Sequence, residues 1–94
     1  MRVVHCKKEP YDVYIGRPGP YGNLFSHLPG KAKVTVASRE EAVARYEELL
    51  RRLPEAELMS FLQPLAGKVL GCWCAPQACH GDVIVKLCRE LGLI

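Results

Sequence analysis

The sequence of 94 residues predicts a small single-domain, layered α/β fold with a short, mostly parallel sheet and about three helices. Two observations lead to this prediction. First, two β-rich runs precede two helical patterns, and a third apolar run precedes a last helical pattern. Second, the order strand, strand, helix, helix, strand, helix contains one long crossover, and such connections join parallel strands in a right-handed sense. We therefore expect one domain, residues 1–94, arranged as a Rossmann-like fragment.

The strands are predicted from runs that are rich in Val, Tyr and Ile. Residues 2–6 and 11–15 form two such runs, with a polar turn between them. Residues 33–36 fit either a short edge strand or an extended connector, and the sequence leaves both interpretations open. A further strand is predicted at 68–73, directly after Gly67, which is a plausible cap for the preceding helix. The strand at 68–73 and the run at 11–15 are expected to be parallel.

The helices are predicted from capping signals and apolar spacing. Ser38 stands three residues before a glutamate, and a helical apolar pattern follows, so we expect a helix over 39–53. Pro54 ends this helix and is expected to be the first residue of a second one. A last helix, about 80–91, places Cys88 on its apolar face, so Cys88 is predicted to be a core residue.

Composition argues against several classes of function. Thirteen basic and ten acidic residues give a net charge of +3, and the basic residues are spread along the chain. This distribution favours neither a nucleic-acid binder nor a membrane-surface protein. No apolar run approaches the length of a membrane span, and the first residues do not resemble a signal peptide, so we expect a cytoplasmic protein. One Asn and two Gln, with abundant Arg, Glu and Leu, hint at a thermophilic source. No pattern indicates an oligomeric state.

Residues 71–82 concentrate the chemistry of the chain. They hold three of the five cysteines, the only tryptophan and a His-Gly-Asp triplet. The stretch lies where a strand ends and a helix begins, which is where α/β folds bind ligands. In a reducing compartment the cysteines are expected to be thiols, metal ligands or redox groups rather than a disulfide frame. Trp73 alternates with two of them, so we expect it to pack on the opposite face of the sheet against a helix, with base stacking as the lesser alternative.

The motifs Gly-Cys-Trp-Cys at 71–74 and Cys-His-Gly-Asp at 79–82 resemble those of the bacterial and phage domain of unknown function numbered 4326. The resemblance covers most of the chain and extends to residues 12–17, 22–23, 38–42 and 67–68. Tyr21 and Leu24 depart from the Trp and Pro that the family usually has there. The resemblance implies a family but no activity, so function must be argued from the site.

The first hypothesis is a small-molecule site, for a nucleotide-like or phosphorylated ligand, formed by residues 16–25 and 72–82, with an enzymatic role left open. Arg17 is suited to grip a phosphate, Asn23 to read a base or sugar, and Asp82 to hold a hydroxyl or act as a base. The amides at the start of the last helix also attract anions. Asp82 has a simpler interpretation, because a carboxylate in the first helical turn stabilises the helix dipole. The predicted ligand-binding residues are Gly16, Arg17, Gly22, Asn23, Gly81 and Asp82.

The second hypothesis is a zinc-stabilised structural module, and zinc is the only cofactor that the sequence indicates. Side chains two apart on a strand share a face, and the helix start adds a thiol and an imidazole. Three thiolates and one imidazole would complete a tetrahedral site, although neighbouring ligands need a sharp backbone turn. His5 and Cys6 are the replacement ligands. The predicted metal ligands are Cys72, Cys74, Cys79 and His80.

Two further alternatives remain open. In a thiol-dependent enzyme, Cys79 would be the nucleophile because a helix N-terminus lowers a thiol pKa, with His80 or His27 as its partner and Cys74 as the resolving thiol. The catalytic set across the enzymatic interpretations is Cys79, His80 and Asp82. The chain is also consistent with a phage or bacterial accessory protein that binds a host protein or nucleic acid. The plainest interpretation makes Cys72 and Cys79 small buried core residues.

Overall fold

The computed structural model describes residues 1–26, 28, 30 and 32–94. Five strands and three helices make up the elements described there. In chain order the strands are β1 (Arg2–His5), β2 (Val13–Tyr14), β3 (Phe25–Ser26), β4 (Val34–Thr35) and β5 (Val69–Cys72). The helices are α1 (Arg39–Arg51), α2 (Glu55–Leu62) and α3 (His80–Glu90), and a 3-10 turn, Gln63–Leu65, follows α2. The α/β prediction is therefore confirmed.

The main sheet has β5 at its centre, with β1 on one side and β2 on the other. Both outer strands are parallel to β5. The backbone N–H of Ile15 donates to the carbonyl of Gly71 over 2.9 Å and continues the β2 ladder. Since parallel strands end at the same edge of a sheet, the loops that follow β2 and β5 begin side by side. The predicted crossover between residues 11–15 and 68–73 is thus confirmed.

A second, two-stranded sheet accounts for the segment whose structure the sequence left open. β4 lies within residues 33–36 and pairs in parallel with β3. The N–H groups of Val34 and Val36 donate to the carbonyls of Leu24 and Ser26 at 3.0 and 2.8 Å. Helix α1 packs against β3, so this small sheet lies beside the start of α1.

The helix boundaries show how the caps work. Ser38 caps α1, because its hydroxyl accepts from the backbone N–H of Glu41 at 3.1 Å. The helix ends at Arg51 rather than at residue 53. The N–H groups of Arg52 and Leu53 instead bond to carbonyls three residues back. The placement of Pro54 as the first residue of α2 was wrong: its φ of −53° and ψ of 144° are extended, so it is the N-cap.

The core lies between the main sheet and the helices. Its largest fully buried aliphatic side chains come from β5, from the residue after β2, from α2 with the turn that follows it, and from α3. They are Leu70, Ile15, Leu62, Leu65, Ile84 and Leu87. Cys88 is fully buried in the same cluster, which confirms its prediction as a core residue. None of the helices in the described part of the chain is long and apolar enough to cross a membrane.

The prediction that Trp73 packs in the core was wrong. Its side chain is 54% exposed. The reason is that β5 ends at Cys72, so Trp73 already belongs to the loop and has no helix to pack against. The indole is nevertheless held in place, because its Nε1–H donates to the hydroxyl of Tyr14 over 2.8 Å. Its other neighbours are the His5 ring, edge-on at 5.7 Å, and the Lys7 ammonium at 5.4 Å.

Candidate functional site

A cavity of about 260 Å³ opens at the edge of the main sheet where β2 and β5 end. One wall comes from the loop after β2, a second from β3 and the first turn of α1, and a third from the loop between β5 and α3. Both predicted rims, residues 16–25 and 72–82, therefore contribute to one cavity. The predicted site residues that line it are Gly16, Arg17, Asn23, Cys72, Cys74, Cys79 and His80.

The charge of the cavity is positive. Arg17 and Arg39 are the charged side chains among the described residues that line it, and none of those residues is acidic. Phe25, Leu28 and Trp73 add apolar surface. The mixture of apolar surface with a few convergent polar groups is typical of small-molecule sites.

Cys72, Cys79 and His80 converge at the wall of this cavity. The two sulfur atoms lie 2.7 Å apart, and the Cys79 sulfur lies 3.5 Å from Nδ1 of His80. All three side chains are buried, and their donor atoms lie within 4.8 Å of one another. Thiolate and imidazole are the ligand types that zinc prefers. This group can therefore hold a metal ion.

The orientation of His80 is set by the end of β2. Its Nε2 lies 2.7 Å from the carbonyl oxygen of Ile15. A carbonyl only accepts, so Nε2 carries the hydrogen and Nδ1 presents its lone pair to the Cys79 sulfur. The ring also packs edge-on against Tyr46, with centroids 4.9 Å apart. Burial lowers the pKa of His80, which keeps the imidazole neutral.

The start of α3 is built around Cys79, which is the N-cap. Its sulfur accepts from the backbone N–H of Gly81 at 3.4 Å. In return, the Asp82 carboxylate accepts from the backbone N–H of Cys79 at 3.1 Å. These two bonds satisfy amides that the first helical turn leaves unpaired. Asp82 is exposed, acts as a cap, and is not among the residues that line the cavity.

The three thiols that line the cavity shift one another's pKa. Hydrogen bonds from Cys72 and then from Cys79 hold the pKa of Cys74 far below its ordinary value, and the nearby Arg39 acts in the same direction. The bond with Cys74 raises the pKa of Cys72, and the bonds with Cys72 and Cys74 raise that of Cys79. These shifts make Cys74 a more acidic thiol than Cys79, the nucleophile that the sequence suggested.

Two of the predicted glycines serve packing. A Cβ on Gly81 would lie 2.8 Å from side-chain carbons of both Val3 and Ile15, so the glycine lets α3 approach the sheet. A Cβ on Gly22 would lie 2.8 Å from Cγ of Arg17. Gly22 lines a neighbouring cavity, together with Arg17 and Asn23, rather than the one beside the cysteines.

Arg17 and Asn23 are connected to each other and to α1. Nη1 of Arg17 donates to the carbonyl of Asn23 at 2.8 Å. The amide group of Asn23 is buried, donates to the carbonyl of Ala42 at 2.9 Å and accepts from the N–H of Phe25 at 3.0 Å. Asn23 therefore fixes the loop against the helix at the cavity wall.

The replacement metal ligands do not join the cluster. His5 Nδ1 accepts from the backbone N–H of Lys7 at 3.1 Å. Neither His5 nor Cys6 belongs to the group of converging ligand atoms or to the cavity lining. His27, the other suggested partner of Cys79, lies outside the described residues.

Arg39 is the functional candidate that the sequence reasoning missed. It is the first residue of α1 and lines the cavity. A signal was present, because a cation in the first helical turn opposes the helix dipole, and acidic residues follow it at Glu40 and Glu41. Phe25 and Gln77 also line the cavity and carried no comparable signal.

Comparisons with known proteins agree with the family resemblance. The family model described as "Domain of unknown function (DUF4326)" matches residues 2–90. The "Uncharacterized 12.4 kDa protein in nrdA-td intergenic region" of Enterobacteria phage T4 is 36% identical over 92 residues, which cover 96% of this chain and 79% of the phage protein. No solved structure matches the chain. The chain belongs to the DUF4326 family.

Proposed function

We propose that the protein binds an anionic small molecule, of the nucleotide-like or phosphorylated class, in the cavity between residues 16–25 and 72–82. The observation that carries this proposal is the pairing of Arg17 with Arg39 in a cavity whose described lining contains no acidic side chain. Arg17 comes from the loop after β2 and Arg39 from the first turn of α1, so the charge of both reaches the cavity only because the two elements lie beside it. An acidic group with several oxygen acceptors suits their planar donor sets.

Trp73 supports a ligand that also has a flat ring. The indole of Trp73 is exposed, yet two hydrogen bonds hold it in place. Its N–H donates to the hydroxyl of Tyr14, which in turn donates to the carbonyl of Arg17 at 3.0 Å. These two bonds tie the aromatic surface to the loop that carries the arginine. Bases stack on aromatic side chains with about 1–3 kcal/mol each. A nucleotide combines such a ring with an acidic group.

The size of the cavity narrows the ligand class. Its volume of about 260 Å³ lies just below the range of roughly 300–1,000 Å³ that is usual for drug-sized ligands. A mononucleotide or a smaller phosphorylated metabolite therefore suits it better than a dinucleotide.

A thermal-shift panel tests the proposal. The panel contains nucleoside monophosphates, the matching nucleosides and inorganic phosphate. We expect at least one phosphorylated compound to raise Tm in a concentration-dependent way, since a ligand that binds only the folded state stabilises it. Replacing Arg39→Gln should weaken that binding about tenfold or more, because a charge-assisted hydrogen bond is worth about 1.5–3 kcal/mol.

The matched control is Arg52→Gln. Arg52 follows the last residue of α1, at the opposite end of the helix from Arg39, and pairs with Glu48 on the surface. The Arg52→Gln variant should bind the ligand as tightly as the wild type does. The proposal fails if no phosphorylated compound moves Tm, or if Arg39→Gln and Arg52→Gln respond to the ligand equally.

A further inference from the structure

We infer that Cys72, Cys74, Cys79 and His80 bind one zinc ion as a closed four-ligand site that joins β5 to α3. This goes beyond the proposed ligand site, since it concerns how the wall of the cavity is held together. The ligands come from the last residue of β5, the loop after it, the N-cap of α3 and the first residue of α3.

The distances fit one ion with a small adjustment. With a Zn–S bond of about 2.3 Å, neighbouring donors of a tetrahedral site lie roughly 3.5–3.8 Å apart. The separation of 3.5 Å between the Cys79 sulfur and His80 Nδ1 already has this value. The sulfurs of Cys72 and Cys79, at 2.7 Å, would move apart by about 1 Å on binding. The donor atoms that already converge are those of Cys72, Cys79 and His80. Cys74 lines the same cavity two residues after Cys72, and we assign it as the fourth ligand, whose sulfur would approach the other three on binding.

The backbone at Cys79 removes the difficulty of two consecutive ligands. Cys79 is extended, with φ −141° and ψ 150°, and His80 is the first helical residue. This sharp change of direction at the N-cap brings two neighbouring side chains toward one point. The contact of 3.5 Å between them shows that the turn achieves this.

The surroundings of His80 are those of a metal ligand. Histidines that bind a metal usually donate their other ring N–H to a carbonyl or carboxylate, which fixes the ring and its tautomer. The bond from Nε2 of His80 to the carbonyl of Ile15 does this and leaves Nδ1 facing the sulfurs. The N–H of Gly81 meanwhile donates to the Cys79 sulfur, as suits a thiolate.

The charges also balance. Three thiolates and a zinc ion leave one negative charge at the site, and Arg39 lines the same cavity as the four proposed ligands. Arg17 then leaves the cavity positive overall, so an anionic ligand stays favoured beside the metal. A closed site of this composition serves structure, because all four positions are taken by the protein. A chain of 94 residues with a modest core gains directly from such a staple.

Metal analysis of protein purified without chelators tests the inference. We expect about one zinc per chain in the wild type, because the four proposed ligands complete one tetrahedral site. Zinc should be lost or reduced at least tenfold in affinity in Cys79→Ser. The matched controls are Cys88→Ser, in the core, and Cys6→Ser, near the end of β1, and both should keep the metal. Loss in Cys6→Ser with retention in Cys79→Ser would overturn the assignment.

Cobalt substitution gives a second test, which does not depend on the folding of the Cys79→Ser variant. Tetrahedral Co²⁺ with thiolate ligands gives intense visible bands and sulfur-to-metal charge transfer. Cys74→Ser should lower the charge-transfer intensity by about a third, since one of three Co–S bonds is lost. Unchanged intensity would overturn the four-ligand site. Absence of metal binding, with Cys72 and Cys79 recovered as a disulfide or as free thiols, would overturn the inference altogether. A failed ligand panel with zinc still bound would count only against the proposed function.

Discussion

The Nε2–H of His80 donates to the carbonyl oxygen of Ile15 over 2.7 Å. This bond joins the first residue of α3 to the residue that follows β2, and so it connects the two rims of the cavity directly. Ile15 is fully buried and precedes Gly16, the first residue of the glycine-rich rim. The bond therefore fixes the start of α3 relative to the loop that carries Arg17.

This relationship predicts how two His80 variants differ in stability. In the presence of a chelator, His80→Leu should lower the free energy of unfolding by about 1–3 kcal/mol, because it leaves a buried carbonyl without a donor. His80→Gln, whose amide can still donate, should lose less. Urea denaturation measures both variants. Equal losses would show that the bond to Ile15 contributes little.

Asp82 is predicted to act as a cap rather than as a ligand-binding or catalytic group. Asp82→Asn keeps an oxygen acceptor for the N–H of Cys79 but removes the charge near the helix N-terminus, so it should cost about 0.3–1 kcal/mol. Asp82→Ala removes both and should cost more, up to about 2 kcal/mol. Neither should change ligand affinity. A selective loss of ligand binding in Asp82→Asn, at unchanged stability, would restore the role that the sequence suggested.

Gly81→Ala is predicted to destabilise the protein even though alanine is the better helix former. A Cβ at this position would overlap Val3 and Ile15, which overpacks the interface between α3 and the sheet at a cost of about 1–3 kcal/mol. Ser60→Ala, at an exposed position of α2, is the control and should change stability by less than about 0.5 kcal/mol. Thermal unfolding compares the two, and a neutral Gly81→Ala would show that α3 can shift without cost.

Glu47 makes a small, pH-dependent contribution to stability. Hydrogen bonds from Arg51 and then Lys86, at 2.7 and 3.0 Å, lower its pKa. Because the folded pKa lies below the unfolded one, the stabilisation is complete above the ordinary glutamate pKa and is lost as the pH falls through the folded value. It should not exceed about 1 kcal/mol, since the pair is on the surface.

Urea denaturation of Glu47→Gln between pH 7 and roughly pH 3, a window chosen around the ordinary glutamate pKa, checks this prediction. The difference from wild type should be constant at the upper end and shrink toward zero at the acidic end. Glu57→Gln, at an exposed position of α2, is the control. A difference that grows on acidification would have the wrong sign for this mechanism.

The sequence predicted those parts of the fold that local signals determine. The capping residue Ser38, the apolar spacing of α1 and the long crossover each have a local physical cause, and each was confirmed. Strand β3, with two residues, has no period that a pattern can reveal. The bond of its neighbour Asn23 to Ala42 joins residues 19 apart, so only tertiary structure shows it.

The sequence predicted the two rims of the candidate site, residues 16–25 and 72–82, but not the wall that the first turn of α1 contributes. The strand end at Cys72 and the helix start at His80 form the kind of junction where many α/β proteins bind ligands. The structure places both residues beside one cavity. Arg39 and Phe25 reach that cavity because α1 packs on β3. Trp73 was misplaced because strand alternation was extended by one residue beyond the true end of β5.

The fluorescence of Trp73 gives the most direct test of the central claim that this cavity binds an anionic, ring-bearing ligand. Trp73 is the only tryptophan of the chain and lines the cavity, so its emission reports from the site alone. Titration with a nucleoside monophosphate should change the emission saturably. The concentration at half-saturation should be about tenfold higher or more for the matching nucleoside with the wild type, and likewise for the monophosphate with Arg39→Gln. An emission that stays unchanged with every phosphorylated compound, or that responds equally in Arg39→Gln, would contradict the account.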